Sequence, residues 1–288
     1  MSRFLYLTDS HLGAAREGFC QTVRLPQLTT RLFARLASWL QTNPVDFIVH
    51  GGDLTDRGTA DQIITADGLF AHLDTPTFLC LGNHDLAQEE SLKNWFTLAR
   101  AFFPTGEATY RLVFDHFILL VVAHHWRPDR DFYWTADGPM IPRLGESLEG
   151  RIEGVLAQAD RPVIVALHAP LNAIPGAQAG RPADIHEPDP VLPPYFRGLG
   201  RRYPRLKLVL AGHNHANTLV DQGSFVSMTT AAQLEAPFEA RLIEVDTQAI
   251  QVRTLSLAQE LGMPVTVPPG TEWAGGDDGI RTRRIKIG

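Results

Sequence analysis

Five times along this chain a short apolar run gives way to a glycine or polar turn. Arg3 to Thr8 ends at Asp9, and Val45 to His50 ends at Gly51-Gly52-Asp53. Thr77 to Leu81 leads into Gly82-Asn83-His84, Pro162 to Leu167 into His168, and Leu206 to Ala211 into Gly212-His213. Runs of this kind predict buried strands. Between them, apolar residues recur at helical spacing. Leu28, Leu32, Phe33, Leu36 and Leu40 follow Pro26, and further helices are predicted over 60–73, 89–102 and 147–157, Gly68 weakening the first of these three. Later come paired strand-like runs, 110–114 with 116–123, 218–221 with 224–228, and 240–245 with 250–255, several joined by short turns such as Asp221-Gln222-Gly223. Alternating β and α followed by hairpins predicts an α/β (α+β) chain of two packed sheets flanked by helices. No internal repeat or low-complexity segment interrupts it.

The turns after the five runs carry most of the chain's candidate chemistry. They hold Asp9 and His11, Asp53, Asn83, His168, and His213 with His215. Oxygen and imidazole donors without thiolate suit hard to borderline divalent metals used in hydrolysis. Strand ends hold such side chains rigidly while the following loops give access, and open α/β sheets bind ligands there. In Asp9-Ser10-His11 and His213-Asn214-His215 alternate residues of an extended backbone point the same way, so each pair can converge. Asn83 alone would be a turn residue; beside His84 and Asp85, after a strand, it reads as a ligand. Asp85 is expected to fix the turn. His50, His72 and His116 are read as satisfied core histidines, and His124 and His125 as strand-end residues off the pocket. His186 is open between the two readings. The irregular stretches 125–145 and 172–194, the second with Arg181, Asp184 and His186, are read as pocket walls or as solvated connectors.

Bulk properties narrow the picture. A chain of 288 residues, 44% hydrophobic, can bury a large core in one domain or two. A net charge of −6 and a pI near 6.0 disfavour a nucleic-acid surface. Cys20 and Cys80 give no disulfide framework, and Cys80 in its apolar run reads as a small buried hydrophobe. The N-terminus enters a strand and a candidate ligand motif at once, leaving no room for a signal peptide, and no apolar run is long enough for a membrane span. The expectation is a soluble cytoplasmic protein.

Taken in order, Asp9-Ser10-His11, Gly52-Asp53-Leu54-Thr55-Asp56, Gly82-Asn83-His84-Asp85, His168 and Gly212-His213-Asn214-His215 resemble the calcineurin-like metallophosphoesterase superfamily, with its D-x-H, G-D-x-x-D, G-N-H-D/E, H and G-H-x-H. The resemblance covers roughly residues 1–258, taken as the catalytic domain. Residues 259–288 are a C-terminal extension, either flexible or in contact with another subunit of a homo-oligomer. It implies a four-layer α/β/β/α sandwich of two mixed sheets, and two divalent ions (manganese, iron or zinc) held roughly 3.5–4 Å apart. By that pattern Asp53 bridges the ions. Asp9, His11 and His215 complete the first, and Asn83, His168 and His213 the second. A hydroxide bridging both ions would attack phosphorus while His84 protonates the leaving oxygen or stabilises phosphoryl charge, oriented by Asp56.

Arg57 extends the second motif to Asp56-Arg57-Gly58, similar to serine/threonine protein phosphatases, so Arg57 and Asn83 are expected to contact a phosphate oxygen. Leu81, where those phosphatases carry a second arginine, removes a clamp that a dianionic monoester needs. The motif forms look more like bacterial cyclic-nucleotide and glycerophosphodiester phosphodiesterases, although Ala169 stands where many of those have a second histidine. The function expected is therefore hydrolysis of small phosphodiesters, including cyclic nucleotides. A phosphomonoesterase, a nuclease or a non-catalytic binding module on the same fold are the alternatives.

Overall fold

A computed structural model describes residues 1–15, 24–263, 267 and 269–287. Cys20, with Pro264, Pro268 and Gly288 of the tail, lies outside them. The chain runs β1 (Ser2–Leu7), α1 (Thr29–Thr42), β2 (Phe47–His50), α2 (Ala60–Ala71), β3 (Thr77–Leu79), α3 (Ser91–Leu98), β4 (Tyr110–Val113) and β5 (Ile118–Val122). There follow α4 (Gly145–Gln158), β6 (Val163–Leu167), α5 (Gly176–Ala179), α6 (Leu192–Arg202), β7 (Leu206–Ala211), β8 (Thr218–Asp221) and β9 (Val226–Thr229). It closes with β10 (Glu239–Val245), β11 (Ala249–Ser256), α7 (Leu257–Glu260) and β12 (Thr282–Lys286). Among the described residues no helix is long and apolar enough to cross a membrane.

Two mixed six-stranded sheets result, ordered β12-β11-β10-β1-β2-β3 and β4-β5-β6-β7-β9-β8. Within the first, β1, β2 and β3 are parallel. Within the second, β5, β6, β7 and β9 are parallel, and antiparallel partners close the edges. Every residue of β2, β5 and β6 is buried, which is why those strands read as unbroken apolar runs. Parallel strands deliver their C-terminal ends to one edge. The turns after β1, β2 and β3 therefore gather at the end of one sheet, and those after β6 and β7 at the end of the other.

Aromatic rings lock the sheets face to face. Phe4 of β1 lies 4.9 Å from Phe47 of β2, and Phe47 stacks at 4.6 Å on Phe114, beside Phe117, both in the turn that joins β4 to β5 of the second sheet. Helices cover the outer faces: α4 packs on β5 and α6 on β7, while Phe33 of α1 and His50 of β2 both contact Phe70 of α2.

The differences from the expected elements have local causes. The helix expected over 89–102 stops at Leu98, because Ala99 leaves helical geometry (φ −139°, ψ 45°) and a single turn, Arg100–Phe102, brings Phe102 and Phe103 onto Trp95. The helix α6 was not anticipated; its buried Leu192, Phe196 and Leu199 have helical spacing, but Pro193 and Pro194 hide the start. The basic end of the extension is a strand. Thr282–Lys286 pairs antiparallel with β11, with Ile285 buried between charged neighbours in two-residue alternation. The boundary at 258 thus does not interrupt the first sheet. Two histidines read as core are not: His72 is exposed and its Nδ1 donates to Gly68 O at the end of α2, and His116 is half-buried beside the Met1 amine. His50 is fully buried as expected.

Phe47, 2% exposed, carries the ring stack between the sheets. Phe47→Ala should cost about 3–5 kcal/mol, seen as a lower urea midpoint at unchanged slope. A midpoint within error of the parent would refute the stack as an inter-sheet clasp.

Candidate metal centre

Backbone hydrogen bonds zip the turns together before any side chain is considered. Asp9 N donates to Gly52 O (2.9 Å), His11 N to Asp53 O (2.9 Å), and Gly212 N to His168 O (3.1 Å). The crowding forces unusual geometry. Asp9, His11, Asp53, His213 and His215 all have positive φ, between 45° and 73°. Non-glycine residues adopt that region only where the surroundings hold them there. Gly52, at φ 108°, is required twice over, since a Cβ there would strike the imidazole of His168.

Six of the seven candidate ligands meet at this edge. Asp53 is buried; its Oδ1 accepts the His84 backbone N–H at 2.9 Å, and its Oδ2 lies 3.1 Å from His168 Nε2 and 3.7 Å from His11 Nε2. On one side Asp9 Oδ1 stands 3.3 Å from His215 Nε2, and His215 Nε2 stands 3.1 Å from His11 Nε2. The donor atoms of Asp9, His11 and His215 lie within 4.8 Å of one another. On the other side those of Asp53, His168 and His213 do the same. Asn83, beside His84 on the same turn, has a buried Oδ1 that makes no hydrogen bond among the described residues.

These donors fit a pair of cations. His168 Nδ1 must carry its proton, because it donates to the carbonyl of Gly51 at 2.8 Å. A neutral ring would then point the Nε2 lone pair at the Asp53 carboxylate, which is repulsive unless a proton or a metal ion lies between. The same holds where His11 and His215 bring two ring nitrogens together. Without metal, protons fill the role. Burial alone would lower both rings, yet Asp53 and Asp9 push His168 up to about 9, and Glu235 and Asp9 push His215 up to about 10. Burial pushes His213 the other way, down to about 3, beside cationic His168.

Residues behind the donors complete the arrangement, and the sequence reading missed them. Glu235 Oε2 accepts from His215 Nδ1 at 2.9 Å, fixing the tautomer that offers Nε2. Arg24, only 8% exposed, donates through Nε to Glu235 Oε1 at 2.9 Å and reaches Asp56 Oδ1 at 3.5 Å. Asp56 Oδ1 in turn stands 3.5 Å from His11 Nδ1. One guanidinium therefore ties together the carboxylates behind two histidines. A charged pair 211 residues apart in sequence leaves no local spacing signal. Asp85 fixes the turn as expected, accepting from the backbone N–H of Leu54, Thr55 and Gly82; burial and then Asp53 raise its carboxyl to about 6.

His84 sits at the rim with its Nδ1 donating to the Asp56 main-chain carbonyl at 2.7 Å, so its Nε2 is the atom left for chemistry. Asp56 thus holds His84 through its backbone, and its carboxylate faces His11. Arg57 stands apart: its side chain is 74% exposed and lies 3.9 Å from the Asp56 carboxylate. Both irregular stretches reach the centre. A cavity of about 320 Å³ lies between Met140 and Pro142 of the first, His186 and Asp189 of the second, and His213 with Asn214. His124 and His125 are buried away from it, His124 accepting from Ala169 N at 3.0 Å.

A family model described as calcineurin-like phosphoesterase matches residues 2–217. The chain belongs to that family. Among solved structures its fold is similar to a dimetal phosphatase from Danio rerio (TM-score 0.70, 13% identity, 100% of this chain and 99% of that one). It is also similar to purple acid phosphatase PPD1 from yellow lupin (0.60, 14%, 93% of this chain and 52% of that one). A third likeness is to GAP50, the anchor in the inner membrane complex of Plasmodium (0.62, 12%, 100% and 89%). At these identities the likeness shows the fold alone. No curated protein sequence matches the chain.

Two measurements follow. His168 and His215 keep their protons well above the usual imidazole range, so an entering ion must displace them. Manganese affinity should rise from pH 7 towards about 9 to 10 and then level off, with net proton release in calorimetry across buffers of different ionisation enthalpy. A pH-independent affinity would contradict the protonation pattern. Glu235→Gln should weaken metal binding by about 10–100-fold, against an unchanged affinity if Glu235 plays no supporting part.

Proposed function

We propose that this protein is a two-metal phosphoesterase that hydrolyses small phosphodiesters, cyclic nucleotides among the candidates. The observation that carries the reading is the split of the Asp53 carboxylate, with Oδ2 shared between the His11 and His168 sides. Asp9, His11 and His215 would hold one divalent ion and Asn83, His168 and His213 the other, with Asp53 common to both. Manganese, iron and zinc all accept this donor set. What such a pair supplies is Lewis acidity, which acidifies water and neutralises phosphoryl charge. The chain's own part is positional. Only with both ring nitrogens protonated can His84, its Nδ1 proton committed to Asp56 O, offer an Nε2–H to protonate the departing alkoxide oxygen, leaving a neutral ring, or to hydrogen-bond a phosphoryl oxygen.

Charge around the cavity favours the diester. Among the described residues no lysine or arginine lines it, Leu81 is buried where a clamp would stand, and the Arg57 guanidinium is turned to solvent. Glu187 and Asp189 add negative charge to the wall. A monoester dianion meets less compensation here than a diester with one charge. The monoesterase reading draws instead on the likeness to the two named phosphatases.

In a metal-reconstituted assay, bis(p-nitrophenyl) phosphate should be turned over faster than p-nitrophenyl phosphate, with cyclic nucleotides and glycerophosphodiesters tested alongside. Preference for the monoester would overturn the diester assignment. His84→Ala should keep both ions and lose about 10²–10⁴ in kcat, whereas Asp53→Ala should lose metal. Two ions retained in Asp53→Ala, measured by elemental analysis, would refute the shared ligand.

A further inference from the structure

We propose that Trp134 is a positioning residue for His84, a role that rests on the reading of His84 given above. The segment 125–143 is a braced excursion from β5. His125 N and Arg143 N exchange hydrogen bonds with each other's carbonyls at 2.8 and 2.9 Å, and Ile141 N donates to Trp126 O at 2.9 Å. Further out, Arg130 pairs with Glu89 at 3.0 Å, and Phe132 packs against the His125 ring at 4.5 Å. This frame carries Trp134 to the turn that bears His84, where Trp134 N donates to Leu86 O at 3.1 Å. The indole then lies 4.8 Å from the His84 imidazole, tilted by 41°.

His84 is consequently held from three directions. Asp56 O fixes its Nδ1 proton, the His11 ring meets it edge-on at 4.6 Å, and Trp134 covers the ring. Only the last comes from outside the ligand-bearing turns. The Trp134 Nε1–H makes no hydrogen bond among the described residues, so the ring, not the indole donor, does the holding. A half-buried histidine on a short turn would otherwise exchange rotamers, and small misplacements of a catalytic group cost much of its effect. The same segment places Met140 and Pro142 in the cavity wall beside His213, so one excursion borders the centre on both sides.

The metal-loaded enzyme with bis(p-nitrophenyl) phosphate gives the test, using Trp134→Ala, Trp134→Phe, His84→Ala and the double variant His84→Ala/Trp134→Ala. Trp134→Ala should lower kcat about 10–100-fold at unchanged KM and metal content, and Trp134→Phe should restore most of it. In the His84→Ala background Trp134→Ala should add no further loss, because the two residues act as a unit. Losses that multiply in the double variant, a phenylalanine no better than alanine, or an alanine variant with parental kcat would each overturn the proposal. Should His84→Ala itself retain turnover, the reading of His84 falls instead. Histidine ¹⁵N spectra of the zinc-loaded protein decide without any turnover: the parent should show one sharp His84 ring signal whose Nδ1–H is held by the Asp56 carbonyl, and Trp134→Ala a signal broadened by exchange between rotamers. One sharp signal in both would also overturn the proposal.

Discussion

The Asp53 carboxylate divides its two oxygens between the protein and the centre. Oδ1 is taken by the backbone N–H of His84, which leaves Oδ2 facing both histidine clusters. Such a group is costly to bury unless paired, and here the pairing is with imidazoles that must themselves be protonated or metallated. The turn geometry, the left-handed residues and the close glycine approach serve to hold this one carboxylate in its place. His84 is drawn into the same arrangement, because the backbone that donates to Asp53 carries the side chain set to act beside it.

Sheet topology makes that arrangement attainable. Parallel β1, β2 and β3 send three turns to one edge, and parallel β6 and β7 send two more from the opposing sheet. The phenylalanine stack fixes the separation between the sheets, and the bond from His168 to Gly51 O crosses from one to the other. Precision at the centre is therefore a property of the whole sandwich. The loops supply only donors and walls.

Much of this was legible in the sequence because buried parallel strands write themselves as apolar runs that end abruptly in glycine and polar residues. Val163–Leu167 followed by His168 is the plainest example. What escaped depends on contacts between distant segments. Glu235 and Arg24 support His215 and His11 from loops with no periodicity, and nothing near either marks the pairing. Asp56 meets His84 through its main-chain carbonyl while its carboxylate faces His11, and a motif, which names a residue, cannot tell the one from the other. The helix α6 and the strand β12 were hidden by prolines and arginines whose patterns show only once burial is known.

The left-handed backbone at Asp9, His11, Asp53, His213 and His215 bears on how such a protein ages. Each position carries a strain of roughly 1–3 kcal/mol, and exchange for glycine or asparagine would relieve much of it. Drift without use should erode such residues early, as the cheapest route to a sturdier molecule. A lineage released from holding metal would be expected to lose these residues first, and all five stand in this chain.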